Sequence, residues 1–199
     1  MNDVIEDWEP FYTATAGSPV RALCLLAIDA AGDPGGRLAV DLGAGAGRES
    51  AALLAAGWRV LALDGAAGAH LRIEASVPPA DRNRLSVAEQ SFAALDELPE
   101  AGLVYAGYAL PFQRPEVFAR TWSLIRGALR PGSGAILAVN LFGPRDTWAD
   151  DPELTTHSLE EARALLDGLQ ILALREQERE GVAVTGPKHW HELDLLARA

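Results

Sequence analysis

Two aspartates and three glycines carry the clearest chemical signal in the sequence. In Leu38-Ala39-Val40-Asp41-Leu42-Gly43-Ala44-Gly45-Ala46-Gly47-Arg48, a short apolar run holding one acid leads into glycines at alternate positions. Glycine lacks the Cβ that would keep a ligand off the main chain, so this segment can turn tightly and present N–H groups to it. Residues 48–56 are strong helix formers, and Gly57 is placed to end that helix. Strand, glycine turn and helix N-terminus together make a corner suited to a nucleotide-like ligand. A second apolar run, residues 58–63, ends in Asp64. A carboxylate there, with both oxygens free, can accept from the two hydroxyls of a ribose.

Two ligand classes compete for such a corner. A dinucleotide needs Gly-x-Gly-x-x-Gly/Ala, where the third small residue lets the helix pack tightly on the strand. Here the pattern is Gly-x-Gly-x-Gly, and Arg48 stands where that small residue is required. Asp41 would repel a pyrophosphate but suits an ammonium group. Asp64 serves either class. The ligand indicated has a ribose and a positive end.

The remaining elements must position this corner. Strands are expected at 38–42, 58–63, 85–88, 103–106 and 135–139, alternating with helices. The helices fall at 19–31, with Val20, Leu23, Leu26, Ala27 and Ala30 at helical spacing, and between Asp64 and Val77. Another runs from Pro115 with Val117, Phe118, Trp122, Ile125 and Leu129 on one face. Ser158-Leu159-Glu160-Glu161 reads as an N-cap box opening one more. Two consecutive strands, 169–174 and 189–197, follow, joined by a charged stretch containing Gly181 and Gly186. That order predicts an α/β fold, a doubly wound, mainly parallel sheet with an antiparallel strand at its end. One domain is expected, with residues 1–31 a helical cap and 32–199 the core.

Composition narrows the partners. The 199 residues, 49% hydrophobic and 23% charged, fit one soluble domain with a sizeable core. A net charge of −11, with Lys188 the sole lysine, argues against nucleic acid. Cys24, the only cysteine, lies in an apolar run and is expected to be a buried, unreactive thiol. The acidic N-terminus lacks the basic start of a signal peptide, and no apolar stretch reaches the ~18 residues of a membrane span. A cytoplasmic protein is the expectation.

S-adenosylmethionine combines an amino-acid ammonium, a sulfonium, a ribose and an adenine. On Val40-Asp41-Leu42-Gly43-Ala44-Gly45-Ala46-Gly47 and Asp64, the chain resembles the class I S-adenosylmethionine-dependent methyltransferases over residues 8–199. More narrowly, it is similar to a small bacterial subgroup related to the tellurite-resistance type. Gly47-Arg48-Glu49-Ser50, Tyr105-Ala106-Gly107-Tyr108-Ala109-Leu110-Pro111-Phe112, Asn140-Leu141-Phe142-Gly143 and Lys188-His189-Trp190-His191 carry that likeness. The resemblance implies a Rossmann-like sheet of seven strands, the last antiparallel, and methyl transfer from S-adenosylmethionine; the acidic net charge favours a small-molecule acceptor, and a monomer or homodimer is expected. It places Gly43 and Gly45 against the methionine part, with Asp41 and the Ala106 carbonyl near its ammonium. Asp64 then takes the ribose, and Glu89, Gln90 and Ser91 lie by the adenine.

Methyl transfer from a sulfonium is an in-line displacement, to which proximity and orientation contribute roughly 7–11 kcal/mol. A base is needed only when the acceptor must lose a proton, so no obligatory catalytic motif exists. Tyr12 and Trp8, four apart, either pack on the core or close over the cofactor with an aromatic face toward the sulfonium. Tyr105 belongs in the sheet. Tyr108 lies at the rim, as core or as acceptor contact. Arg48 either orients an anion or pairs with a neighbouring acid. Arg145 and Asp146 lie in the loop after the fifth strand. His189 and His191 share one strand face, without a third ligand at supporting spacing, so no metal is expected. The catalytic candidates are Tyr108, His189 and Arg145. Two other readings stay open: a protein that binds the cofactor without methyl transfer, and a nicotinamide oxidoreductase.

Overall fold

The structure, a computed structural model, describes residues 8–15 and 17–199. Thirteen principal elements follow one another: α1 (Glu9–Thr15), α2 (Ala22–Ala31), β1 (Leu38–Leu42), α3 (Arg48–Ala55), β2 (Arg59–Asp64), α4 (Ala69–Ser76), β3 (Leu85–Glu89), β4 (Leu103–Ala106), α5 (Pro115–Ala128), β5 (Ile136–Phe142), α6 (Leu159–Leu165), β6 (Gln170–Ala183) and β7 (Gly186–Arg198). The seven strands form one sheet in the order β3-β2-β1-β4-β5-β7-β6. The first five are parallel, and β7 runs antiparallel between β5 and β6. The expected doubly wound sheet is therefore observed. Residues 1–7 and 16, part of the segment expected to be an N-terminal helix, lie outside the described residues.

Apolar residues on both sides of the central strands explain the layering, since alternate side chains point to opposite faces. Val40, Leu42, Val104, Leu137, Val139 and Leu141 pack with Phe118, Trp122 and Ile125 of α5. On the other face Ala39, Leu103, Tyr105, Ile136 and Ala138 pack with Leu23, Cys24 and Ala27 of α2 and with Leu53 and Leu54 of α3. Cys24 is fully buried, and burial pushes its thiol pKa far up. Leu26, expected on this seam, is instead 39% exposed, and Leu25 is 53% exposed. The buried seam runs through Leu23, Cys24 and Ala27, and Leu26 lies about 100° away from its centre around the helix, facing outward. Ser158 caps α6 as expected: its Oγ accepts from Glu161 N–H, and the Glu161 carboxylate accepts from Ser158 N–H. Among the described residues no helix is long and apolar enough to cross a membrane.

The C-terminal third differs from expectation. The charged stretch expected to connect the last two strands is itself strand, and β6 and β7 pair from Gln170↔Arg198 to Ala183↔Gly186. An edge strand beyond the flanking helices tolerates charge on both faces, which also protects its open edge. Cross-strand partners use that freedom: Arg179 meets Glu192 at 3.2 Å, and His189 Nδ1 meets Glu180 at 2.7 Å. Likewise β5 continues past Val139 to Phe142, carrying Asn140 opposite Asp194 of β7.

A buried ion pair fastens this hairpin to the loop after β5. Lys188 Nζ binds Asp146 Oδ1, and both residues are buried. Asp146 Oδ2 accepts from His191 N–H at 3.1 Å, and the Trp148 and Trp190 rings lie 3.8 and 4.4 Å from the ammonium. Removing one partner strands the other charge in an aromatic enclosure. Asp146→Ala should destabilise the protein by roughly 3–5 kcal/mol, read from the midpoint of guanidinium unfolding.

Candidate functional site

At the C-terminal ends of β1 and β2 the chain builds the corner its glycines indicate. Gly43 and Gly45, with φ of 70° and 56°, adopt a left-handed conformation that side chains disfavour. The Gly43 and Ala44 N–H groups donate to the Leu63 carbonyl, which ties the turn to β2. A Cβ on Gly43 would overlap Ala109, and one on Gly45 would press on the Tyr12 ring at 3.3 Å. Gly47 serves a different need. Its missing Cβ lets α4 approach at Ser76 and Ile73, so this third glycine supports packing rather than facing the corner.

Asp64 closes the corner. Its Oδ2 accepts from Gly45 N–H at 2.7 Å and its Oδ1 from Ala66 N–H at 2.9 Å, which fixes the plane of the carboxylate. The Tyr12 hydroxyl also reaches Oδ1, at 3.3 Å. Asp64 is 7% exposed, so the two oxygens are not free as expected: main-chain donors orient them, and Tyr12 covers what remains. Tyr12 sits beneath the Arg72 guanidinium, 3.9 Å from the ring centroid, and Arg72 Nε donates to the Gly45 carbonyl. Arg72 Nη2 is buried without a partner.

Asp41 lies one layer behind. It is fully buried, accepts from Ser50 Oγ at 2.6 Å, and its pKa is pushed up to about 7, chiefly by burial. Beside it, Glu49 at the start of α3 takes Arg48 at 2.8 Å and Arg21 at 3.1 Å. The Arg48 side chain is thus a salt-bridge partner that also reaches the Thr15 carbonyl.

The other expected residues divide into two groups. Ala106 is buried at the end of β4; Glu89 is the last residue of β3, paired with Asp64, and Gln90 and Ser91 follow it. Gln90 N–H donates to the Asp64 carbonyl, whereas its side-chain amide donates to Ala94 O. Glu89 is exposed and accepts from His70 N–H. Tyr108 stands past β4 with φ 54°, a strained value for a non-glycine residue. Its ring lies 5.5 Å from the Arg21 guanidinium and 5.9 Å from Phe142. Trp8 packs edge-on against Phe112, 5.0 Å between centroids.

Arg145, His189 and His191 gather elsewhere. Arg145 is held by Glu176 and Glu178, His189 by Glu178 and Glu180, and His191 by Glu176. By strand alternation this cluster faces away from Tyr108, since His191 and Leu193 share the α5 side of β7. Among the described residues no group of three or more such side chains is arranged to hold a metal. Arg72, Arg21 and Phe92, whose ring end lies 3.8 Å from the Cβ position of Gly43, escaped the sequence reading. They reach the corner from distant elements, and no local pattern marks them.

No protein-family model matches the chain, and no curated protein matches it in sequence. Solved structures do. TehB from Haemophilus influenzae superimposes with a TM-score of 0.72 at 15% identity, over 94% of this chain and 65% of that one. This chain thus spans under two thirds of TehB. A 1,6-didemethyltoxoflavin-N1-methyltransferase from Burkholderia thailandensis gives 0.66 at 18% identity, over 94% and 80% of the two chains. The fold is that of the S-adenosylmethionine-dependent methyltransferases. A Methanosarcina mazei protein described by that activity matches the methyltransferase fold over 90% of this chain and 98% of its own, with 18% identity and a TM-score of 0.66.

The buried acid behind the corner generates a pH dependence. The folded protein keeps the Asp41 proton up to about pH 7, whereas the unfolded chain, with a carboxyl near 3.8, releases it earlier. Stability from this group therefore falls as pH rises from about 4 to about 7 and levels off above. Asp41→Asn abolishes this loss. Its stability relative to the unmodified protein should rise by roughly 2–3 kcal/mol between pH 5 and pH 8, measured by urea unfolding at both values.

Proposed function

We propose that this chain transfers the methyl group of S-adenosylmethionine to a small-molecule acceptor. The observation that carries the reading is the Asp64 carboxylate, held by the Gly45 and Ala66 amides at the mouth of the glycine turn. Those two bonds leave the carboxylate able to accept one further donor on Oδ1, where Tyr12 now sits, and another on Oδ2. Ribose hydroxyls are donors of that kind. The positive φ values of Gly43 and Gly45 give the methionine part its close approach, and Asp41 lies behind with a charge that an ammonium would favour.

Bound S-adenosylmethionine supplies an electrophilic methyl group on a sulfonium. The chain's own contribution is placement and exclusion of water. Gly43, Gly45 and the Ala106 carbonyl receive the amino-acid end, Asp64 the ribose, and Glu89, Gln90, Ser91 and Phe92 the adenine side. Arg72 Nη2, a buried donor with no partner, can answer an anionic group near Gly45. Tyr12 lies on Gly45 and Asp64 together, so α1 must yield as the cofactor enters and can then close over it. Tyr108, at the rim, is the candidate for acceptor contact, in preference to Arg145 and His189 on the far side of the hairpin.

A net charge of −11 supports a small acceptor over a nucleic acid. We place the protein in the cytoplasm as a monomer or homodimer, a single domain whose residues 1–31 cap residues 32–199. A purely structural use of the cofactor has no observation in its favour.

Calorimetry with S-adenosylhomocysteine tests the assignment. Asp64→Asn, which keeps the shape and removes the charge, and Asp64→Ala should each weaken binding about 100-fold, since charge-assisted hydrogen bonds contribute roughly 1.5–3 kcal/mol apiece. Unchanged affinity in a folded variant would sink the assignment. Amides of α1 should also exchange hydrogen more slowly with S-adenosylhomocysteine bound, and equal protection would make α1 a fixed part of the core.

A further inference from the structure

A hollow of about 190 Å³ opens beside the glycine corner on the α2 side of the sheet, lined by Arg21, Leu23, Tyr108, Asn140, Gln177 and Asp194. Arg21 joins the two places, because its guanidinium pairs with Glu49 at 3.1 Å and lies over the Tyr108 ring. Asn140 Nδ2 donates to Asp194 Oδ1 at 2.6 Å, which fixes the orientation of the amide. Asn140 is 3% exposed, yet its Oδ1 has no partner. A buried carbonyl oxygen left in this state marks a place for a donor from outside the chain.

The charges around the hollow do not cancel. Arg21 is matched by Glu49, and Glu192, whose charge acts on the Tyr108 hydroxyl, is matched by Arg179. Asp194 has the neutral Asn140 amide as its hydrogen-bond partner, and Arg175 of β6 offsets part of its charge. What remains, besides the neutral Gln177 amide at the rim, is one carboxylate and one buried unpaired carbonyl oxygen, both acceptors. The aromatic rings of Tyr108 and Phe142, 5.9 Å apart, form a wall nearby. Tyr108 is the one described non-glycine residue held at positive φ, and such strain persists where surroundings enforce it, often at ligand sites.

We propose that this hollow receives the methyl acceptor by a nitrogen head group, a small amine or amidine whose N–H donors meet Asn140 Oδ1 and the Asp194 carboxylate. This rests on the methyl-transfer reading, which makes the neighbouring corner the donor site. An alcohol brings one donor and no charge, so it satisfies one of the two acceptors. A carboxylate or other oxyanion brings no donor and meets Asp194 with like charge.

Four ligands of similar size separate these cases: benzylamine, benzamidine, benzyl alcohol and benzoate, titrated calorimetrically into the full chain saturated with S-adenosylhomocysteine. The two nitrogen bases should bind at least tenfold more tightly than the alcohol, and benzoate should give no heat. Asp194→Asn should weaken benzylamine at least tenfold while leaving S-adenosylhomocysteine affinity unchanged, and Asn140→Leu should do the same. Should either variant fail to fold, the ligand series on the unmodified protein decides alone. Equal binding of alcohol or benzoate, absence of amine binding at millimolar concentration, or an unaffected folded Asp194→Asn variant overturns the proposal. Failure of S-adenosylhomocysteine itself to bind the unmodified protein overturns the methyl-donor reading instead, and the acceptor role falls with it.

Discussion

The geometry of the corner depends on one carboxylate held by main-chain donors. Asp64 ends a fully parallel-paired strand, and its oxygens take N–H groups from Gly45 on one side and Ala66 on the other. Those amides belong to two different turns, so the carboxylate fixes how the turn after β1 sits against the turn after β2. The Gly43 and Ala44 amides on the Leu63 carbonyl complete the join. A side chain recruited in this way cannot swing aside when a ligand arrives. What can leave is the Tyr12 hydroxyl, the weakest and longest of its three contacts.

Around that carboxylate the protein confines several acids to a small volume. Asp41, Glu49 and Asp64 are all buried, at adjoining strand and helix ends. Each is handled differently. Asp64 is solvated by amides, and Glu49 is neutralised by Arg21 and Arg48. Asp41 has Ser50 alone and keeps its proton to near neutrality. Burial, only partly offset by the nearby Arg21, is the reason. The arrangement leaves a reserve of negative charge behind the glycine turn that a cationic ligand can draw out. Arg21, paired with Glu49 and lying over the Tyr108 ring, joins the glycine corner to the neighbouring hollow in one electrostatic frame.

Legibility followed the range of the interactions. The strand, glycine turn and helix from Leu38 to Ala55 obey local rules and were readable to within a residue, as was the Ser158 cap. The long β6–β7 hairpin was not, because Arg175 to Glu180 look like a solvated connector until their partners on β7 are known. Leu26 was misplaced because Cys24, rather than Leu26, completes the buried seam with Leu23 and Ala27. In the site, Asp41 and Asp64 stood out by position on strands. Arg21, Arg72 and Phe92 did not, since each comes from another element and acquires its meaning through packing. The role of Gly47 was half legible: the need for no Cβ was clear, but the neighbour requiring it was α4.

The aromatic residues show why α1 belongs to the site although it adds little to the core. Trp8 rests on Phe112, which in turn contacts Phe142 and Trp148, and Trp148 and Trp190 enclose Lys188. This chain of rings runs from the buried Lys188–Asp146 pair to the helix that carries Tyr12. Its far end is therefore anchored by a charge pair inside the protein, while its near end is a seven-residue helix, too short to be stable alone. A helix of that length holds its place through Trp8 and Tyr12, with Arg48 on the Thr15 carbonyl and Arg72 beside Glu9. In the lid role proposed for α1, release of Asp64 by Tyr12 leaves Trp8 on Phe112 and Arg48 on the Thr15 carbonyl to keep the helix over the corner.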